Sequence, residues 1–146
     1  LRSGTEDSAI ISGFAKALEI SQTAKESEVN RLTILRDELM DELLKDERIT
    51  LNGSKENRSP NNVNITVKDF SGESLVIQLA AYGFAVSSKS ACQSDSDEES
   101  HVIAALHSVQ GITSKSEEGS LRITLGRDTT RNNIKKLITV LTKITK

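Results

Sequence analysis

A chain of 146 residues is long enough for one domain with a sizeable core. Its 36% hydrophobic and 27% charged content is ordinary for a globular domain, and a net charge of −2 with interspersed signs gives no electrostatic case for nucleic acid or an acidic membrane. With three Phe, one Tyr and no Trp the core is expected to be aliphatic; no apolar run is long enough to span a bilayer, and a lone cysteine allows no intrachain disulfide, which suits a reducing cytoplasm.

Residues 6–46 are predicted helical, in one long piece or two. Ile10, Ile11, Phe14, Ala17 and Leu18 recur at spacings of three and four, and Val29, Leu32, Leu35, Leu39 and Leu43 resume the pattern after a polar stretch at 21–28. Thr5 is the expected N-cap, with Glu6 and Asp7 in the first turn, where the helix dipole favours acids. A short strand at 49–51 ends at Asn52-Gly53, and a polar loop follows to Pro60. Val63, Ile65 and Val67 alternate with polar residues and predict a half-buried strand.

A helix over 72–82 presents Leu75, Val76, Leu79 and Ala80 on one side, and residues 84–86 read as a further strand. Residues 96–107 are predicted helical, with Ser96 as cap, acids in the first turn and Val102, Ile103, Ala105 and Leu106 as the apolar face. A polar connector at 109–119 leads to a strand in which Leu121, Ile123 and Leu125 alternate with Arg122 and Thr124. The last helix, from 129 to about 145, turns Ile134, Leu137, Ile138 and Leu141 inward and gathers lysines towards its C-terminus. Short strands between one-sided helices predict an α+β layer structure.

Two features carry chemistry. Cys92 stands in Ser87-Ser88-Lys89-Ser90-Ala91-Cys92-Gln93-Ser94-Asp95, a run without a large apolar side chain. A structural cysteine packs among apolar neighbours, whereas a thiol beside a lysine in a polar loop is either a nucleophile or an exposed bystander. Arg122 lies in a predicted strand; on its own it reads as a solvated salt-bridge partner. His101 and His107 are six apart on a predicted helix and fall on different faces, so no zinc site is expected. Asp95, Asp97, Glu98 and Glu99 read as a helix N-terminus rather than a metal cluster.

Three blocks in order resemble the cysteine desulfurases of the class V aminotransferase family, within the fold-type I pyridoxal-phosphate enzymes. They are Leu1-Arg2-Ser3-Gly4-Thr5, the loop Ala85-Val86-Ser87-Ser88-Lys89-Ser90-Ala91-Cys92, and Leu121-Arg122-Ile123-Thr124-Leu125-Gly126-Arg127 with Thr129-Thr130 following. Lesser matches lie at Leu51-Asn52-Gly53, Ser59-Pro60-Asn61-Asn62-Val63-Asn64-Ile65 and Gly72-Glu73-Ser74-Leu75. The interval of thirty residues from Cys92 to Arg122 is similar to the long-loop NifS- and IscS-like group. The departure is Lys89, where the family usually has glycine, which adds a charge and stiffens the loop.

The resemblance implies a small, mainly antiparallel sheet covered by helices on one face and preceded by a long N-terminal helix. Residues 1–146 would then be the C-terminal small domain of such an enzyme, the large cofactor-binding domain being absent. It implies Cys92 as the persulfide carrier, Arg122 as the substrate carboxylate ligand, and Thr5 as a cofactor phosphate ligand reaching across a homodimer interface; Arg127 is assigned a structural part. The implied cofactor is pyridoxal 5'-phosphate, bound mainly outside this chain, and the implied substrate is L-cysteine, converted to L-alanine. A scaffold for iron–sulfur assembly, or tRNA thiolation, would take the sulfur. The isolated chain is expected to be inactive, since none of its lysines lies in the family's Schiff-base motif. Two other readings stay open: another class V aminotransferase or lyase, and a non-enzymatic, redox-sensitive interaction module.

Overall fold

The computed structural model describes residues 3–88, 101–110 and 120–146, without the side chains of residues 101, 104, 107 and 110. The element order is α1 (Ser8–Leu43), β1 (Ile49–Leu51), β2 (Asn62–Val67), α2 (Gly72–Ala81), α3 (His101–Gln110), β3 (Ser120–Thr124) and α4 (Arg131–Ile144). The fold is α+β. The strands form one sheet in the order β1-β2-β3, and both pairings are antiparallel.

Alternation along each strand sorts the sheet into two faces. Val63, Ile65 and Val67 of β2 and Leu121 and Ile123 of β3 are buried on one face, and α1, α2 and α4 cover it. Leu39, Met40 and Leu43 from α1, Leu75 and Leu79 from α2, and Ile134, Leu137 and Leu141 from α4 fill the layer between. The core is aliphatic, as composition requires. At about 25 cal/mol per Å² of buried apolar surface, each such side chain contributes roughly 1.5–3 kcal/mol. The other sheet face carries Thr50, Asn64, Thr66 and Arg122, and α3 lies on that side.

Helix α1 is one continuous helix of 36 residues, about 54 Å long, and the polar stretch 21–28 does not break it. Its buried residues all fall in the last third, Leu35 to Leu43. The N-terminal stripe Ile10, Ile11, Phe14 and Leu18 is 49–70% exposed, so the apolar pattern there covers nothing in this chain. The N-cap is Asp7 rather than Thr5: the Asp7 carboxylate accepts from the Ile10 N–H at 3.0 Å. Only Asp7 stands at the position whose side chain reaches the free amides of the first turn.

Residues 84–86 are not a strand; among the described residues the one bridge here lies just beyond them, from Ser87 to Arg122. Helix α3 runs on through Val109 and Gln110, which were expected in the connector, while the expected cap Ser96 lies outside the described residues. Leu125 lies just past β3 and is buried; α4 starts after a Thr130 cap, in a capping box with Asn133. Among the described residues no helix is long and apolar enough to cross a membrane.

Candidate functional site

The polar face of the sheet and α3 enclose a cleft of about 270 Å³. Its lining includes Asn52, Arg58, Asn64, Ser88 and Arg122 on the polar side, and Ile103 and Leu106 on the apolar side. Among the described residues two arginines and no acid line it, so the field of those residues favours an anion. Arg122 is half-buried, and no described residue accepts from its guanidinium.

Backbone pairing fixes where Arg122 points. Its N–H donates to the Ser87 carbonyl at 2.6 Å, and the Ser87 N–H donates back at 3.1 Å. Arg122 therefore spends both backbone groups on Ser87, and towards β2 it faces Asn64 as a pair without mutual backbone bonds. In such pairs the Cα atoms approach to about 4.5 Å and the side chains are closest. Ser87 is also the root of the loop that carries Cys92. The structure thus brings Arg122 and that root together; Cys92 and Lys89 themselves lie outside the described residues, as do Arg2 and the acids at 95 and 97–99.

Gly72, the first residue of α2, is needed for this approach. A Cβ at Gly72 would stand 2.5 Å from the Ser120 carbonyl oxygen and 2.9 Å from Ser88 Cβ. The close contact seats the helix start between β3 and the loop root.

The floor of the cleft is a side-chain network. Asn52, only 2% exposed, donates its amide to Asn64 Oδ1 at 2.8 Å and to Thr66 Oγ1 at 3.0 Å. Arg58 spans the loop ends, donating to the Asn52 and Ser54 carbonyls at 2.7 Å each. Burial, and then the neighbouring Arg36 charge, push the Arg58 guanidinium below its usual pKa. Arg36, buried at the end of α1, donates to the Ser59 carbonyl at 3.2 Å and holds the far side of the same loop.

A second arginine of α1 holds the turn beyond β3. Arg31 donates to the carbonyls of Thr129 at 2.6 Å, Arg127 at 2.9 Å and Gly126 at 3.2 Å, and pairs with Glu28 at 2.9 Å. The hydrogen-bonded ion pair raises the Arg31 pKa and lowers that of Glu28. Arg127 takes part through its carbonyl, with its side chain exposed.

Thr5 is exposed and precedes α1, far along the chain from the cleft; the structure does not bring it to Arg122. His101 and His107 belong to α3, with side chains outside the described set. Asn52, Asn64, Arg58, Arg31 and Arg36 were not singled out as site residues. Asn64 carried a readable signal: asparagine is depleted in strands, so one at a strand centre calls for a partner. The arginine clamps grip carbonyls, which leave no mark on sequence.

Residues 1–137 match the family model described as aminotransferase class-V. The chain is 43% identical over 143 residues to cysteine desulfurase IscS 1 of Archaeoglobus fulgidus, covering 97% of this chain and 36% of that protein. It is 40% identical over 146 residues to cysteine desulfurase IscS of Dictyoglomus turgidum, covering 98% and 36% respectively. The chain spans about a third of the length of the curated relatives it matches. In fold it is similar to a NifS-like protein from Rickettsia africae, with a TM-score of 0.78, 23% identity, and coverage of 98% of this chain and 36% of that one. A second NifS-like structure gives a TM-score of 0.79 at 24% identity, over 99% of this chain and 35% of that one.

Proposed function

This chain belongs to the class V aminotransferase family, and from that premise we propose that it is the C-terminal small domain of a pyridoxal-phosphate-dependent cysteine desulfurase. The observation that supports the reading best is the paired backbone bond between Arg122 and Ser87. It sets a two-pronged carboxylate donor beside the root of the loop that bears the only thiol.

In this reading Arg122 binds the α-carboxylate of L-cysteine, for which a planar guanidinium suits where an ammonium does not. The anchored carboxylate orients the substrate sulfur. The Cys92 thiolate attacks that sulfur, a new S–S bond forms, and the bond from the substrate β-carbon to sulfur breaks. L-Alanine leaves after protonation at that carbon, and Cys92 keeps the persulfide. Cys92 is five positions after Ser87, a reach of at most about 18 Å. That length suits a thiol that must visit the substrate and then an acceptor, such as an iron–sulfur scaffold or the tRNA-thiolation machinery.

Pyridoxal phosphate supplies, when bound, the electron sink that this chemistry at the substrate needs. Of the described residues Thr5 suits its phosphate: the hydroxyl is exposed, and no described residue pairs with it. Asp7 takes the amide of Ile10, so this helix start offers the second subunit of a homodimer the Thr5 hydroxyl and the first-turn N–H groups that remain. The rest of the cofactor site belongs outside residues 1–146, and this chain alone is inactive in this reading. The parent enzyme works in the cytoplasm.

Mass spectrometry of Cys92 in the full-length enzyme, after brief exposure to L-cysteine with cofactor, tests the proposal. One added sulfur on Cys92 with release of L-alanine is the expected result. Active cofactor chemistry with Cys92 unmodified would move the protein to another class V reaction.

A further inference from the structure

The cleft holds a second donor for which the described residues offer no acceptor. Asn64 and Arg122 are directly opposed across β2 and β3, in the pairing that brings side chains closest. The Asn64 carbonyl oxygen is engaged by Asn52, at 2.8 Å. Thr66 Oγ1 lies 3.0 Å from the Asn52 amide nitrogen and 3.2 Å from its Oδ1, and so locks Asn52 in turn. With its oxygen held, Asn64 has one free polar group, its NH2. No described residue accepts from that NH2, and Asn64 lines the same cleft as Arg122. An asparagine that only tied β1 to β2 would need its oxygen alone. Both side chains thus present N–H groups and no acceptor to one space, against the apolar wall of Ile103 and Leu106.

We propose that Asn64 is a second carboxylate-binding residue, donating through its NH2 to the carboxylate that Arg122 binds, and that Asn52 and Thr66 are positioning residues that orient it. This rests on the assignment of Arg122 to the substrate carboxylate. A carboxylate has two oxygens and about four lone-pair sites; a guanidinium fork fills two and leaves room for a neutral donor at the side. The Asn64 bond forms equally to bound L-cysteine and to L-alanine, so it serves binding rather than the bond-breaking step.

The test uses the full-length, cofactor-loaded enzyme with L-cysteine. Asn64→Asp keeps the oxygen that Asn52 needs and replaces the donor by an acceptor facing the carboxylate. KM is expected to rise about a hundredfold in Asn64→Asp and about tenfold in Asn64→Ala, with kcat within about twofold. The Asn64 side-chain amide signals in a nitrogen-15 spectrum report the contact directly. They are expected to shift on adding L-alanine and to stay in place on adding L-alaninamide, which lacks the carboxylate. If wild-type enzyme releases alanine while both variants keep a wild-type KM, the role of Asn64 is overturned and the desulfurase reading survives. If wild-type enzyme releases no alanine from L-cysteine, the functional reading itself falls, and the assignment of Asn64 falls with it.

Discussion

The two faces of the three-stranded sheet differ in what their residues are held by. On one, Val63, Ile65, Val67, Leu121 and Ile123 are buried against three helices, and dispersion and water exclusion hold them in place. On the other, Asn64, Thr66 and Arg122 are held by hydrogen bonds and backbone register, and two of them keep donors unspent. Because side chains alternate at a period of two, the same strands serve both ends, and a slip of one residue would exchange the faces. The first face sets stability, and in the proposed function the second carries the chemistry; substitutions on each should therefore report through different measurements.

The largest effects should separate along that line. Ile65→Ala leaves a cavity at the centre of the covered face and should cost about 2–5 kcal/mol in a denaturant titration. Its loss of activity should follow the loss of folded protein. Arg122→Lys on the opposite face should leave the denaturation midpoint close to wild type and lower the kcat/KM of the full-length enzyme by about a hundredfold, since an ammonium lacks the planar fork. A strong loss of stability in Arg122→Lys would show the two faces to be coupled.

Gly72 sits where the faces meet. Gly72→Ala drives a methyl group into the Ser120 carbonyl and towards Ser88, and should cost about 1–3 kcal/mol. Because Ser88 adjoins the bridge between Ser87 and Arg122, this variant should also lose more activity than stability alone explains. Activity that follows the folded fraction would confine Gly72 to the core.

The covered face was legible because burial has a period. Alternation in β2 and β3, and spacings of three and four in α2 and α4, marked their inward residues, except that Ala80 of α2 is exposed. The same rule misled in α1: Ile10, Phe14 and Leu18 have the period of a buried stripe, but nothing in this chain covers them. Period reports that a face is apolar, not what covers it. Residues 84–86 failed as a strand although their composition suits one: among the described residues the one bridge here falls at Ser87, just past them. Asn64 was legible only as a polar residue within a strand; its bond to Asn52, twelve residues away, and its register opposite Arg122 were not.

Acid should probe the ties at the edge of the sheet without touching either face. Asp46 accepts from the Arg48 backbone and guanidinium at 2.7–3.0 Å, which holds its carboxyl at about 2, below the ordinary 3.8. A carboxyl whose folded pKa is depressed stabilises the fold above its unfolded pKa. That contribution drains away as pH falls from about 4 towards 2. Arg48 also donates to the Thr145 carbonyl, so the tie joins the turn before β1 to the end of α4. Asp46→Asn should therefore flatten the stability profile between pH 4 and 2, while stability changes little with pH above 5. An unchanged slope would mean that Asp46 keeps Arg48 as a partner in the unfolded chain.

The smallest effect is expected at Ser120, whose hydroxyl is buried beside Gly72 with no hydrogen-bond partner among the described residues. Ser120 lies on the polar side of β3, two residues before Arg122, with its carbonyl oxygen against the start of α2. A buried hydroxyl without a partner keeps its desolvation cost and gains nothing for it, at roughly 1–3 kcal/mol. Ser120→Ala removes that cost together with one atom of packing, so a change between zero and about 1 kcal/mol of added stability is expected by thermal denaturation. Loss of stability on that substitution would mean that the hydroxyl has an acceptor in solution, and the division between the two faces would then be less complete at this corner than along the rest of β3.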